Sequence, residues 1–248
     1  MMRKPEKYNS GRFCRIMQLL KEKRGGSDEM ENGKKRSDRW KGLINRFQRY
    51  LIFLGEYLFL ERPRGLDFTM RDTGLYQKSA GKYHGYSKTD EGHLREIFTS
   101  LDFSRCRRLL DVGCGKGVVP KEAAKFPFEK IAGIELQEEL VKIAEKNFRI
   151  LGLEKRVFCM QADAVYFDGY GEYDVFFFFN PFSEEVFEKV IDRILESRRK
   201  DGPLTFIYHN PRYLETLEER LRRVAPGRLQ KTMLHDKRKN YDTCVISI

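Results

Sequence analysis

From Arg108 to its end the chain alternates short apolar runs with amphipathic segments, and it closes on two runs with no helical segment between them. The candidate strands are Arg108–Val112, Lys130–Ile134, Arg156–Met160, Asp174–Phe179 and Leu204–Tyr208, with helical patterns at about 118–126, 137–151, 183–198 and 211–223. Such an alternation builds a parallel sheet with crossover helices on both faces. The last two runs, Leu229–Leu234 and Tyr241–Ile248, are joined only by the charged turn Asp236–Asn240. A parallel crossover needs a dozen or more residues, so these two strands must pair antiparallel. The expected architecture is an α/β fold with a mostly parallel seven-stranded sheet, helices on both faces and a C-terminal antiparallel hairpin.

Chemistry concentrates where strands end. Leu109-Leu110-Asp111-Val112-Gly113-Cys114-Gly115-Lys116-Gly117 runs an apolar strand into a glycine-rich turn and then a helix. Glycines at 113, 115 and 117 let a ligand approach the backbone and tolerate positive φ, and amides at a helix start suit a carboxylate. Asp111 is placed to accept from a ligand ammonium. The spacing is Gly-x-Gly-x-Gly, whereas dinucleotide sites usually read Gly-x-Gly-x-x-Gly. Glu135 ends the next strand, 20 residues beyond Gly115. A carboxylate there can hold both ribose hydroxyls or serve the following helix dipole. Asp163 follows the third strand and can accept from an adenine amino group or cap a turn.

The fourth strand runs Asp174-Val175-Phe176-Phe177-Phe178-Phe179 into Asn180-Pro181-Phe182. Four consecutive phenylalanines suit a strand buried on both faces. Asn180-Pro181 either lines a site or turns the chain out of the strand, with Ser183 capping the next helix. Upstream, Tyr86 in His84-Gly85-Tyr86-Ser87 is either a surface turn residue or a cover for the site. His209 is read first as a solvent-facing turn histidine and second as a base.

In this order and spacing, the elements resemble the glycine motif, ribose acid and adenine acid of class I, Rossmann-like S-adenosylmethionine-dependent methyltransferases, over roughly residues 84–248. The resemblance implies S-adenosylmethionine bound across the carboxyl edge of strands one to four, with Asp111, Gly113, Gly115 and Gly117 near its methionine portion, Glu135 at the ribose, Asp163 at the adenine and Tyr86 over the cofactor. Asn180-Pro181-Phe182 resembles the Asn/Asp-Pro-Pro-aromatic motif of amino-group methyltransferases, one proline short, which implies catalytic roles for Asn180, Pro181 and Phe182. The likeness extends to small bacterial members of unassigned substrate that end strand four with Asn-Pro-Phe.

The chain divides into a basic flexible tail over residues 1–38, a helical N-terminal cap over 39–83 and the cofactor-binding domain over 84–248. Its 48 Lys and Arg exceed 37 Asp and Glu by 11; scattered clusters make this a solvated basic surface first and a weak nucleic-acid contact second. Five separated cysteines without CxxC spacing read as free thiols in a cytoplasmic protein, with no metal site expected. No apolar run is long enough to span a bilayer. The expected acceptor is an amino nitrogen of a protein or RNA; a small-molecule O- or N-methyltransferase and a non-catalytic binding module on the same fold are the alternatives. Oligomeric state leaves no signal in the sequence.

Overall fold

The structure is a computed structural model that describes residues 55–69, 88–198, 202–238 and 240–248. The tail expected over 1–38, Tyr86 and all of the expected cap except 55–69 lie outside the described residues. Seven strands, β1 Arg108–Val112, β2 Lys130–Glu135, β3 Val157–Gln161, β4 Val175–Phe178, β5 Thr205–His209, β6 Gln230–Asp236 and β7 Tyr241–Ser247, form one sheet in the order β3-β2-β1-β4-β5-β7-β6. β1 to β5 are mutually parallel, and β7 runs antiparallel to both β5 and β6. The helices are α1 Glu91–Thr99, α2 Val118–Ala123, α3 Glu138–Ile150, α4 Glu184–Glu196 and α5 Leu214–Val224.

Two hydrophobic layers sandwich the sheet. On one face Leu110, Val112, Phe176, Phe178, Phe206 and Tyr208 meet Val186, Phe187, Val190 and Ile194 of α4 and Leu217 and Leu221 of α5. On the other, Leu109, Ile131, Val175, Phe177 and Ile207 meet Leu94, Ile97 and Phe98 of α1, Val118 and Val119 of α2, and Ala144 and Phe148 of α3. The phenylalanine run is explained by this alternation: Phe176 and Phe178 serve one layer and Phe177 the other, each fully buried. Burial of this kind is worth about 1.5–3 kcal/mol per side chain. Phe179 lies beyond β4, and its ring packs edge-on against His209 at 4.4 Å between centroids.

A short segment precedes the first helix. A π-helical turn over Glu56–Glu61 passes into a 3₁₀ turn over Arg62–Arg64, which Gly65 ends at φ 74°. Leu66 and Phe68 then bury themselves in the second layer. Glu61, itself buried, accepts from the backbone N–H groups of Phe68 and Thr69 at 2.9 Å each and from the Thr69 hydroxyl. Asn147 of α3 holds Asp67 from both sides, accepting its N–H and donating to its carbonyl at 2.9 Å. Among the described residues no helix is long and apolar enough to cross a membrane.

Candidate functional site

The strand order reverses between β1 and β4, and at such a switch point the loops leaving neighbouring strands part to open a crevice at the carboxyl edge. The loop after β1 and the loop after β4 meet there. Gly113, Gly115 and Gly117 all take positive φ, at 86°, 52° and 84°. The loop folds back over β2, with the N–H groups of Gly113 and Cys114 both donating to the Ile134 carbonyl. The structure refines why two of the glycines are needed. A Cβ on Gly113 would stand 2.8 Å from Pro181 Cβ, and one on Gly117 would stand 2.4 Å from Phe148 Cζ. Their missing side chains make room for the protein's own packing as well as for the turn.

Glu135 ends β2 beneath this loop. Its carboxylate accepts the Gly115 N–H at 3.0 Å through one oxygen and the Gln137 N–H at 3.1 Å through the other. Asp111 sits one strand over, paired in register with Gly133, and only 3% of it is exposed. Among the described residues no hydrogen bond reaches its carboxylate. Burial, with the Glu135 charge adding to it, pushes the Asp111 carboxyl well above the usual carboxylate range. Burial raises Glu135 as well, although the amides of Gln137, Gly115 and Leu136 oppose it. Two buried acids with raised affinity for protons, neither paired with a Lys or Arg among the described residues, make a cation-seeking edge.

Asp163 follows β3 and accepts the Val165 N–H at 2.9 Å, so it caps a turn with one oxygen at the same edge. At the end of β4, Asn180 adopts φ 47°, a left-handed conformation tolerated by asparagine. It is 5% exposed and accepts through Oδ1 from the Tyr208 hydroxyl at 3.2 Å. Pro181 packs against Gly113. Phe182 lies in the core layer beneath α4, buried to 5% exposure, and Ser183 starts α4 without a side-chain cap. The sequence placed His209 in a solvent-facing turn; it is instead fully buried. Its Nδ1 lies 2.7 Å from Thr243 Oγ1, and His93 Nε2 lies 2.7 Å from the same oxygen. The hydroxyl has a single proton, so it donates to at most one of the two imidazoles and accepts from at least one.

Residues the sequence did not single out complete the edge. Lys116, inside the glycine loop, is 2% exposed and pairs with Asp67 at 2.7 Å, while its carbonyl accepts from Asn147 at 3.3 Å. The glycine loop is thereby tied to the segment that precedes α1. Among the described residues there is no cluster that could hold a metal ion.

Residues 109–202 match the family model described as a methyltransferase domain. The methyltransferase domain of bacterial CtHen1-C superposes with a TM-score of 0.51 at 15% identity, covering 64% of this chain and 97% of that one. The fold is that of a methyltransferase. The S-adenosylmethionine-dependent methyltransferase SibL in its apo form superposes at 0.50 and 18% identity, covering 62% of this chain and 54% of that one. A Salinibacter ruber RNA methyltransferase in complex with S-adenosyl-L-homocysteine is 21% identical, with a TM-score of 0.46 over 64% of this chain and 92% of that one. No curated protein matches the chain. The strand order and the antiparallel β7 are those of the methyltransferase fold.

Proposed function

We propose that the chain is an S-adenosylmethionine-dependent methyltransferase whose cofactor lies across the ends of β1, β2 and β3. The observation that carries this reading is the buried pair Asp111 and Glu135 around the Gly113–Gly117 loop. The Asp111 carboxylate lacks a donor among the described residues and has its pKa raised by burial and by Glu135, which suits the ammonium of a bound amino acid. Glu135 is held in place by the Gly115 and Gln137 amides and keeps lone pairs for a diol. Asp163, with one oxygen on Val165, has the other for an adenine amino group, and Tyr86 is the expected cover. S-adenosylmethionine would supply an electrophilic methyl group on a sulfonium. The protein's share of the catalysis is then positioning, which requires the reacting atoms to be held at near-attack distance.

The test is calorimetric titration with S-adenosylhomocysteine. The wild type is expected to bind in the micromolar range and Glu135→Ala to bind about 10- to 100-fold more weakly, the loss of a charged acceptor costing roughly 1.5–3 kcal/mol. Wild-type protein that does not bind would overturn the methyltransferase reading and favour a non-catalytic module on the same fold. Burial and the Glu135 charge raise the proton affinity of the Asp111 carboxyl, so an ammonium binding beside it favours release of a proton. Titrations at mildly acidic pH in buffers of different ionisation enthalpy should therefore register net proton release; none would argue against an ammonium at Asp111.

Asn180, Pro181 and Phe182 are the candidate catalytic segment in this reading. For the acceptor, the resemblance favours an amino nitrogen of a protein or RNA. A small-molecule oxygen is favoured by a different observation, the engagement of Asn180 Oδ1 with Tyr208. The chain would work in the cytoplasm, in keeping with the free thiols of Cys106, Cys114, Cys159 and Cys244.

A further inference from the structure

We propose that Cys114 and Cys159 are a redox modification site: a peroxide joins them in a reversible disulfide that ties the glycine loop to β3 and weakens the hold of that loop on the cofactor. The cross-link stands on the geometry of the two thiols alone; its effect on the cofactor rests on the methyltransferase reading above.

The two sulfurs meet because the residue between them has no side chain. Cys114 follows β1 in the glycine loop, whereas Cys159 lies on β3, paired in register with Gly133 of β2. The strand β2 therefore separates the two cysteines in the sheet. A Cβ on Gly133 would stand 2.5 Å from Cys114 Cβ, 2.6 Å from Cys114 Sγ and 3.3 Å from Cys159 Sγ. With glycine there, the Cys114 side chain takes that space, and its Sγ comes to 3.4 Å from that of Cys159. Cys106 instead meets the Thr205 hydroxyl, and Cys244 lies in the opposite layer. A disulfide needs about 2.05 Å between its sulfurs, so an approach of about 1.3 Å closes the bond.

Both side chains are buried. The neighbouring Cys159 thiol and burial keep Cys114 protonated, and the thiolate is the reactive form, so oxidation is slow while the loop is closed and proceeds as it lifts. The Cys114 sulfur attacks one peroxide oxygen, the O–O bond breaks, and a sulfenic acid and water result. When the loop returns, the Cys159 sulfur attacks that of the sulfenic acid, the S–O bond breaks and a second water leaves. Two thiols and one hydrogen peroxide thus give one disulfide and two waters, with two electrons passing from sulfur to oxygen. The new bond pulls on the part of the loop that builds the site. The Cys114 N–H donates to the Ile134 carbonyl at 3.0 Å, and that of Gly115, the next residue, to the Glu135 carboxylate at 3.0 Å. Drawing Cys114 toward β3 displaces both amides from their acceptors, and Glu135 is the residue assigned above to the ribose diol.

The experiment treats the full chain with hydrogen peroxide and removes the peroxide. One portion is digested with trypsin without reductant, and the rest is titrated with S-adenosylhomocysteine. Mass spectrometry should find the peptides Leu109–Lys116 and Val157–Lys189 joined, two hydrogens lighter than their sum and separated by dithiothreitol. Oxidised wild type should bind S-adenosylhomocysteine about tenfold more weakly, the worth of one hydrogen bond to a charged group, and dithiothreitol should restore the affinity. Sulfoxide at the neighbouring Met160 survives that reductant, so reversal separates the two oxidations. Cys159→Ala should form no cross-link and keep its affinity through the treatment, with Cys114 captured as sulfenic acid by dimedone; Cys159→Ser serves the same comparison where the alanine variant does not fold. Peroxide that leaves the two peptides unjoined overturns the inference, as does a cross-link that leaves affinity unchanged or an equal loss of affinity in the Cys159 variant. Reduced wild type that does not bind S-adenosylhomocysteine instead overturns the reading beneath it, while the peptide masses still decide the disulfide.

Discussion

Gly117 is under two constraints that separate cleanly by mutation. Its φ of 84° disfavours any side chain, and a Cβ there would lie 2.4 Å from the buried ring of Phe148. Gly152 has φ 67° but open space around it. Left-handed backbone costs roughly 1–2 kcal/mol for a non-glycine residue, and overpacking a core adds about 1–3 kcal/mol. Gly117→Ala should therefore lower stability by about 3 kcal/mol in urea denaturation and Gly152→Ala by only about 1 kcal/mol; equal losses would refute the packing component. At this scale the acids were legible because they end apolar strands. The Tyr208 contact to Asn180 was not, since a tyrosine inside a strand reads only as core, and Phe182, expected with Asn180 and Pro181 in a catalytic segment, sends its side chain into the core layer. His209 was misread for a related reason: a polar residue at a strand end suggests solvent until its partner, Thr243 on a distant strand, is known.

Among elements, the segment over residues 61–69 and the glycine loop form one unit joined by Asp67 and Lys116. Taking the carboxylate from beside a buried ammonium usually costs more than replacing the ammonium with an apolar chain. Asp67→Ala should destabilise the fold by about 2–4 kcal/mol, while Lys116→Met should be milder; thermal unfolding distinguishes them, and the reverse order would refute the pairing as described. A second tie is acidic. Burial works against the charge of Glu91, but Lys121 and Lys88 outweigh it and hold its carboxyl at about 2, below the ordinary 4.5. A depressed carboxyl stabilises the fold above its unfolded pKa, and that contribution is lost as pH falls from about 4.5 through about 2. The difference in melting temperature between wild type and Glu91→Gln should thus shrink steadily on acidification below pH 4.5. β1, β2, β4 and β5 were legible to within a residue or two because both their faces are buried, and the terminal hairpin followed from loop length. The ties between segments were hidden, since Asp67 and Lys116 stand 49 residues apart in the chain.

At the scale of the whole molecule, charge is unevenly divided. Residues 1–54 contain 15 Lys and Arg against 6 Asp and Glu, a net +9 of the total +11, which leaves +2 for residues 55–248. A chain beginning at Gly55, the start of the compact unit, should elute from heparin at much lower salt than the full chain, because polyanion affinity follows the number of cations engaged. Equal elution would assign the basic contact to residues 55–248. The loop over β1 also carries its own reporter. Cys114 lies between two of its glycines with its Sγ 3.4 Å from that of Cys159, and both thiols are buried. Contact with Cys159 and burial hold the Cys114 thiol protonated far above its usual range, so alkylating reagents reach it only when the loop lifts. The rate at which Cys114 is alkylated is therefore a clock for the opening of this loop, and a ligand that closes the loop should slow it.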